Sequence, residues 1–195
     1  MTADIDQLWP VVREKLTDEQ IPDLYAPPAP RWLRVNFISS LDGAATREQH
    51  SGGLGDAADR RVFQLLRRWA DVVLVGAGTA RSEGYGPVRL SEGAVRWRTR
   101  QGLTPQPVLA LVTRRLDLDP TSRLFADAPV RPIIFTVASA PTEKRAALSA
   151  VADVIDTGDT TVDPIVLRDH LHDRGHTRIH SEGGPTLFGT FVVAG

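Results

Sequence analysis

Two short segments of the chain place glycine where an apolar stretch ends and a helix begins. Val75–Thr79 reads Val-Gly-Ala-Gly-Thr, and Glu182–Thr186 reads Glu-Gly-Gly-Pro-Thr. Glycine lets the backbone approach a ligand closely, and the amides of a helix N-terminus attract negative charge. Both segments therefore predict phosphate-binding turns. The candidate contact residues are Gly76, Gly78, Thr79, Gly183, Gly184, Pro185, Thr186 and Leu187.

A third segment, Thr113–Arg115, supplies a hydroxyl and two guanidinium groups at the end of the apolar run Leu109–Val112. Arginine binds phosphate oxygens through two parallel hydrogen bonds. In a parallel sheet that holds a dinucleotide, this position reaches the 2′-phosphate of the adenosine ribose. We therefore interpret Thr113, Arg114 and Arg115 as residues that select NADPH over NADH.

Two carboxylates near these segments are candidates for proton transfer. Asp42 lies in Asn36–Gly43, an apolar run that turns polar and closes on an Asp-Gly turn signal, and Glu83 follows Thr79 by four residues. We interpret both as candidate catalytic residues. A water molecule is the alternative source of the proton.

The elements that must position these segments alternate between strands and helices. Apolar runs predict strands at Trp32–Ile38, Asp71–Gly76, Pro107–Val112, Arg131–Thr136, Val151–Ile155 and Thr177–His180. Helical periodicity and capping residues predict helices at Asp56–Trp69, Pro141–Ala150, Pro164–Arg174 and Pro185–Val193. This alternation predicts an α/β fold, a mostly parallel central sheet with helices on both faces. Ligands of such sheets bind beyond the carboxyl ends of the strands.

The remaining stretches are less regular. Residues 4–21 carry a loose helical pattern that Pro10 interrupts, and a proline-rich segment follows, so we interpret residues 1–30 as an N-terminal arm and linker ahead of one domain at residues 31–195. Residues 84–106 read as a long irregular loop. The clustered histidines His170, His172, His176 and His180 share no single helix face, so we predict no metal site.

Composition excludes several classes of protein. The 195 residues contain no cysteine, which excludes disulfides, iron–sulfur clusters and thiol nucleophiles. The formal charge of −1 provides no basic surface for nucleic acid or anionic lipid. No apolar stretch is long enough to span a membrane, and the first residues do not resemble a signal peptide. We expect a cytoplasmic protein with a small-molecule partner.

Four segments together resemble a known family. Ser40–Gly43, Leu65–Arg67, Val75–Thr79 and Glu182–Thr186, in this order and spacing, resemble the reductase domain of bifunctional riboflavin-biosynthesis proteins, and in particular stand-alone actinobacterial members. The resemblance covers about Arg31 to Gly195. It implies a dihydrofolate-reductase-like fold that uses NADPH to reduce the ribosyl group of 5-amino-6-ribosylaminouracil 5′-phosphate. The deaminase half of those proteins needs a zinc site with cysteine, so it is not expected here.

The resemblance also implies particular contacts. Those to NADP fall at Ser39, Gly53, Thr79, Glu83, Thr113 and Gly184–Thr190. Those to the substrate fall at Asn36, Ser51, Arg67, Arg89 and Glu182. Two positions depart from the family pattern: Asn36 replaces a frequent lysine, and Glu83-Gly84-Tyr85 replaces Asp-Asp-Pro. Reduction of dihydrofolate and an NADP-binding module without turnover therefore remain alternatives.

The resemblance implies one further expectation about the end of the chain. After a segment like Phe191–Gly195, members of the family continue with strands that complete the sheet. A sheet without them exposes an edge, which proteins usually cover or pair. We expect either a longer product or a homodimer in which a second copy covers that edge.

Overall fold

The protein folds around one six-stranded sheet in a computed structural model that describes residues 3–48 and 50–195. The strands are β1 (Trp32–Val35), β2 (Val72–Gly76), β3 (Val108–Val112), β4 (Ile133–Thr136), β5 (Asp153–Asp156) and β6 (Arg178–Ser181). Their order is β1-β6-β2-β3-β4-β5, and all neighbouring pairs are parallel. The predicted parallel α/β architecture is confirmed.

Eight α-helices connect or flank these strands. They are α1 (Gln20–Leu24), α2 (Ala57–Leu66), α3 (Ala77–Ser82), α4 (Glu92–Arg100), α5 (Arg123–Ala126), α6 (Thr142–Ser149), α7 (Pro164–Asp173) and α8 (Pro185–Ala194). The Asp56 side chain accepts the amides of Ala58 and Asp59 at 2.8 and 2.9 Å, which caps α2 as predicted. One 3₁₀ turn, Arg67–Trp69, continues α2. No helix in the described part of the chain is both long and apolar enough to cross a membrane.

Apolar side chains fill both faces of the sheet. Val73 and Val75 of β2 belong to the cluster that packs under α5 and α6, whereas Val72 and Leu74 belong to the cluster that packs under α7 and α8. Side chains alternate between faces along a strand, so a strand covered on both sides is apolar at every position. This explains why β2 reads as an unbroken apolar run.

The predicted N-terminal helix is wrong. Residues 4–19 form no helix, Gln7 and Arg13 join in an antiparallel bridge, and only α1 is helical. Pro10 lacks an amide donor, and Lys15 has a φ of 50°, a conformation that interrupts a helix. The arm nevertheless packs on the domain, because Leu16 and Ile21 are buried against Leu65 of α2.

The predicted irregular loop at residues 84–106 is wrong in its centre. Residues Glu92–Arg100 form α4, which begins after Ser91 and buries Trp97 and Arg98. The Arg98 guanidinium donates to the carbonyls of Arg68 and Ala70 at 2.8 and 2.6 Å. The many charged residues of this helix hide its short apolar face in the sequence. The strand predicted at Trp32–Ile38 also ends earlier, at Val35.

Candidate functional site

Two adjoining clefts open at the carboxyl ends of the central strands. The Arg67 cleft, of about 410 Å³, lies between α2, the loop after β1 and the loop after α3. The Arg114 cleft, of about 420 Å³, lies between the ends of β2 and β3 and the start of α8. Thr79, Gly184 and Pro185 line both clefts. The two glycine-containing segments predicted as anion-binding turns thus form the shared wall.

The two glycine turns are packed directly against each other. The Gly76 amide donates to the Gly183 carbonyl at 3.0 Å. Gly183 and Gly184 have φ values of 83° and 45°, which disfavour side chains. A Cβ atom at Gly184 would lie 2.3 Å from Oγ1 of Thr79. Glycine is therefore the residue that fits at position 184, and the first residues of α8, Pro185 to Leu187, line the Arg114 cleft.

The predicted hydroxyl and arginines after β3 take different positions. Arg114 is exposed and lines the Arg114 cleft. Thr113 also lines it, but its Oγ1 accepts the Leu116 amide at 3.0 Å and so shapes the turn. Arg115 pairs with Asp117 at 2.9 Å instead. Arg114 is thus the arginine that this turn presents to the cleft.

A buried ionic network forms the floor of the Arg67 cleft. Nε and Nη2 of Arg67 donate to the two carboxylate oxygens of Glu182 at 2.5 and 2.7 Å. The Tyr85 hydroxyl donates to Oε2 of Glu182 at 2.9 Å. The Glu182 side chain is fully buried and that of Arg67 is 12% exposed. The Arg67 guanidinium also lies 4.7 Å from the centre of the Phe63 ring. The sequence predicted Arg67 and Glu182 as two separate substrate contacts, but in the structure these two side chains bind each other.

The network sets the charge of its members. Burial and the adjacent Glu182 carboxylate raise the pKa of Tyr85 well above its ordinary value. Burial alone would lower the pKa of Arg67, but its hydrogen bonds and charge interaction with Glu182 outweigh burial and raise that pKa. The Tyr85 hydroxyl is therefore protonated at neutral pH, and Arg67 is a cation.

Glu83 holds one wall of the same cleft. Its carboxylate accepts the Ser51 amide at 2.7 Å, and Nδ1 of His50 lies 3.9 Å from it. Partial burial opposes ionisation, yet the hydrogen bond from Ser51 and, to a smaller extent, the nearby His50 lower the pKa of Glu83. Glu83 is therefore ionised at neutral pH, and it fixes Ser51 and Gly52, which line the cleft.

Most of the predicted site residues lie at the clefts, but besides Arg115 seven of them, all in the described part of the chain, do not line either one: Ser39, Asp42, Gly53, Arg89, Gly183, Phe188 and Gly189. Arg89 donates to the Asp127 carbonyl at 2.9 Å, away from the Arg67 cleft. Asp42 is exposed in a turn, where it accepts the Ser40 hydroxyl. Ser39 and Gly53 are also exposed outside both clefts. Asn36 and Ser51, predicted as substrate contacts, line the Arg67 cleft.

Sequence reasoning missed Phe63 and Tyr85 as members of the site. Phe63 precedes Arg67 by four residues, a spacing that places both side chains on one face of a helix. Tyr85 stands alone between Gly84 and Gly86, and an aromatic residue between two glycines was the available signal. Among the described residues, no three His, Asp or Glu side chains are grouped to hold a metal ion.

Comparison with known proteins places this site in a family. Residues 31–195 match the family described as the RibD C-terminal domain. A 2,5-diamino-6-ribosylamino-4(3H)-pyrimidinone 5′-phosphate reductase of Methanothermobacter thermautotrophicus is 30% identical over 84% of this chain and 72% of its own length. The enzyme of the same name from Archaeoglobus fulgidus is 29% identical over 83% and 74%.

Solved structures agree with this match. A pyrimidine reductase-like protein of Corynebacterium diphtheriae has a TM-score of 0.83 and 33% identity, covering 92% of this chain and 77% of that one. A bifunctional deaminase/reductase of Thermotoga maritima has a TM-score of 0.60 at 19% identity, and it supports the fold alone; this chain spans 43% of it. The expected dihydrofolate-reductase-like fold is confirmed. Since the match extends over all of residues 31–195, the chain belongs to the RibD C-terminal domain family, a family of reductases.

Proposed function

We propose that the protein uses NADPH to reduce the ribosyl group of a ribosylaminopyrimidine 5′-phosphate. The observation that carries the proposal is the meeting of two clefts at Thr79 and Gly184 in a member of a reductase family. A reductase must hold a hydride donor and an acceptor in contact within a site that excludes water. Two clefts with a shared wall meet that requirement.

The residues of the Arg114 cleft fit NADPH. The amides of Thr186 and Leu187 at the start of α8 suit the diphosphate, and Gly184 allows the close approach that this requires. Arg114 suits the 2′-phosphate. When bound there, NADPH supplies the hydride. The chain's own contribution is to orient the nicotinamide towards Thr79 and the Arg67 cleft.

The residues of the Arg67 cleft suit a polar, anionic substrate. Arg67 supplies a positive charge, while Asn36 and Ser51 supply hydrogen-bonding groups. We infer that the substrate is the compound in the relatives' names, 2,5-diamino-6-ribosylamino-4(3H)-pyrimidinone 5′-phosphate, or 5-amino-6-ribosylaminouracil 5′-phosphate. The hydride goes to C1′ of the ring-opened imine, and a proton goes to its nitrogen, which yields the ribityl amine.

The protonation states of the two candidate carboxylates, Glu83 and Asp42, indicate the source of that proton. Hydrogen bonds from Ser51 lower the pKa of Glu83 despite partial burial, and the Ser40 hydroxyl lowers the pKa of Asp42. Both groups are carboxylates at neutral pH, so neither is a proton donor there. We infer that water supplies the proton and that Glu83 shapes the cleft.

The test is turnover by the purified chain with NADPH and each candidate acceptor. We expect NADPH oxidation, followed by its absorbance, and a product two hydrogens heavier by mass spectrometry with at least one pyrimidine phosphate. Oxidation with dihydrofolate alone would establish the first alternative. Tight NADPH binding with no oxidation by any of the three acceptors would establish the binding module.

A further inference from the structure

His180 is a buried histidine beside the network of the Arg67 cleft. It lies on β6, two residues before Glu182, and is 2% exposed. Its Nε2 lies 3.7 Å from Oε1 of Glu182, and neither ring nitrogen has a hydrogen-bond partner among the residues that the structure describes. Unpaired buried polar groups cost stability, and such an exception calls for a physical reason.

The surroundings of the ring leave Glu182 as its available acceptor. A gap of about 10 Å³ next to His180 is lined by apolar residues, among them Leu66, Trp69 and Ala70, and by Arg34 and Arg178, whose guanidinium groups are donors and cannot accept a hydrogen bond. Burial lowers the pKa of His180 to about 4, so the ring is neutral at pH 7 and carries one N–H. In the tautomer with the proton on Nε2, that N–H faces Oε1 of Glu182.

Glu182 has room for one more donor. A carboxylate offers about four acceptor positions. Arg67 fills one position on each oxygen, and Tyr85 fills the second position on Oε2. The position left open is on Oε1, the oxygen nearest His180. A movement of less than about 1 Å would bring Nε2 within ordinary hydrogen-bond distance.

We propose that His180 is a positioning residue that takes over Oε1 of Glu182 when Arg67 turns towards the substrate. In the free protein Nε and Nη2 of Arg67 both donate to Glu182, so a substrate that binds these two donors draws away a guanidinium that neutralises a buried carboxylate. A buried carboxylate that loses its cation is strongly unfavourable. The N–H of His180 replaces the lost bond and lowers the cost of releasing Arg67. This inference rests on the proposed function, because it needs a substrate in the Arg67 cleft.

The proposed role of His180 predicts different effects of a substitution on folding stability and on substrate binding. In the free protein His180 makes no hydrogen bond, so an apolar ring of similar size does not destabilise the fold. In the substrate complex the same change leaves Oε1 without a replacement donor. A residue with only a packing role would move stability and substrate affinity in the same direction.

The first experiment compares His180→Phe with His180→Gln, whose amide can still donate. We expect His180→Phe to raise the KM for the pyrimidine phosphate about tenfold, with an unchanged Kd for NADPH and an unchanged or higher Tm. His180→Gln should recover part of the loss. The matched control is His172→Phe on α7, which should leave KM unchanged. An unaltered KM in His180→Phe, or a KM rise that accompanies a fall in Tm, would overturn the proposal.

A second measurement does not depend on turnover. Nitrogen-15 NMR of the resting wild-type protein should show His180 as the tautomer with the proton on Nε2, and addition of ribose 5-phosphate should form the hydrogen bond from Nε2 to Glu182. A proton on Nδ1 would overturn the proposal even if the enzyme is active. Absence of turnover combined with the Nε2 tautomer and the ribose 5-phosphate response would count against the proposed substrate and would support the role of His180.

Discussion

The Glu182 carboxylate is the most heavily engaged single group in the site. It accepts two hydrogen bonds from Arg67 and one from Tyr85 while its side chain is fully buried. A buried ion pair contributes little compared with a well-packed apolar pair, yet removal of one partner is costly. The pair thus places a cation at the floor of the cleft rather than adding net stability.

Arg67→Met tests this asymmetry. The change leaves Glu182 buried without its cation, and we expect the free energy of unfolding to fall by about 3–5 kcal/mol. Adding Glu182→Leu should recover most of that loss, because both charges are then gone. Urea unfolding of the two variants measures the effect. A single variant within about 1 kcal/mol of wild type would show that the pair is not desolvated as the structure indicates.

Gly184→Ala tests the contact between the two glycine turns. The new Cβ would lie 2.3 Å from Oγ1 of Thr79, in a backbone with a φ of 45° that disfavours side chains. We expect at least a tenfold weaker NADPH affinity by fluorescence titration, in a protein that still folds. The control is Gly189→Ala in α8, where a Cβ meets no atom within 4 Å. Equal NADPH affinities for the two variants would contradict this assignment of the cofactor cleft.

Arg114 and Arg115 form a matched pair for cofactor selectivity. We predict that the wild-type protein prefers NADPH over NADH at least tenfold, about 1.4 kcal/mol, which is less than the roughly 1.5–3 kcal/mol of one charge-assisted hydrogen bond. Arg114→Ala should abolish the preference and leave NADH binding unchanged. Arg115→Ala should preserve it, because Arg115 pairs with Asp117 outside the cleft. If Arg115→Ala removed the preference instead, the assignment of the 2′-phosphate to Arg114 would be wrong.

The helix α2 joins the N-terminal arm to the site. One face contacts the arm: Arg61 donates to the Leu16 carbonyl at 2.9 Å, and Arg68 donates to the Asp18 carbonyl at 2.7 Å. The opposite face presents Phe63, and the 3₁₀ turn that follows presents Arg67 to the cleft. The hydrogen bonds from Arg61 and Arg68 to the arm therefore hold in place the segment that presents Phe63 and Arg67 to the cleft.

The loop at residues 50–54 depends on the end of α3 through Glu83. We expect Glu83→Ala to raise the exchange rate of the Ser51 amide and the KM of the substrate, with Glu92→Ala on α4 as a neutral control. The pKa of Glu83 is lower in the folded protein than its ordinary value of 4.5. The carboxylate therefore stabilises the loop at pH values above 4.5, and this contribution is lost as the pH falls through the lower folded-state pKa. An NMR titration in which the Ser51 amide shift moves only above pH 4.5 would contradict this bond.

The two outer strands of the molecule differ in their protection. The outer strand β5 carries Asp153 and Asp156, both exposed and both paired with arginines, and charges on an edge discourage association. The other outer strand, β1, carries Trp32, which is 39% exposed. The β1 edge also carries Arg34, whose guanidinium donates to the Tyr25 carbonyl, so the exposed Trp32 ring is the part of this edge that another chain can cover.

The expected homodimer follows from this difference and stays a prediction. Light scattering should give a mass about twice 21.3 kDa, and Trp32→Lys should reduce it to that of a single chain. Asp153→Asn at the opposite edge should leave the dimer intact. A wild-type protein that scatters as a single chain at every concentration would show that β1 is not the interface.

Local patterns were sufficient for most elements of the sheet. The apolar runs of β2, β3, β4 and β6 and the cap of α2 were predicted, because such patterns depend on residues that are adjacent in the chain. The glycine turns were predicted for the same reason, since they follow directly on strands. Helix α4 was missed because its apolar face consists of few residues among many charges. The arm was misassigned because Leu8, Trp9 and Val12, which supply its helical spacing, are exposed and form no buried helix face.

The chemistry of the site required the tertiary structure. Arg67 and Glu182 are 115 residues apart, and nothing in either segment indicates that one neutralises the other. They meet because β6 lies between β1 and β2, which brings its carboxyl end under α2. Arg89 matched the family pattern yet is bound to the Asp127 carbonyl, because a loop contact rather than the motif decides its direction. Strand order is set by the packing of the whole sheet, so it alone decides which motif residues become partners.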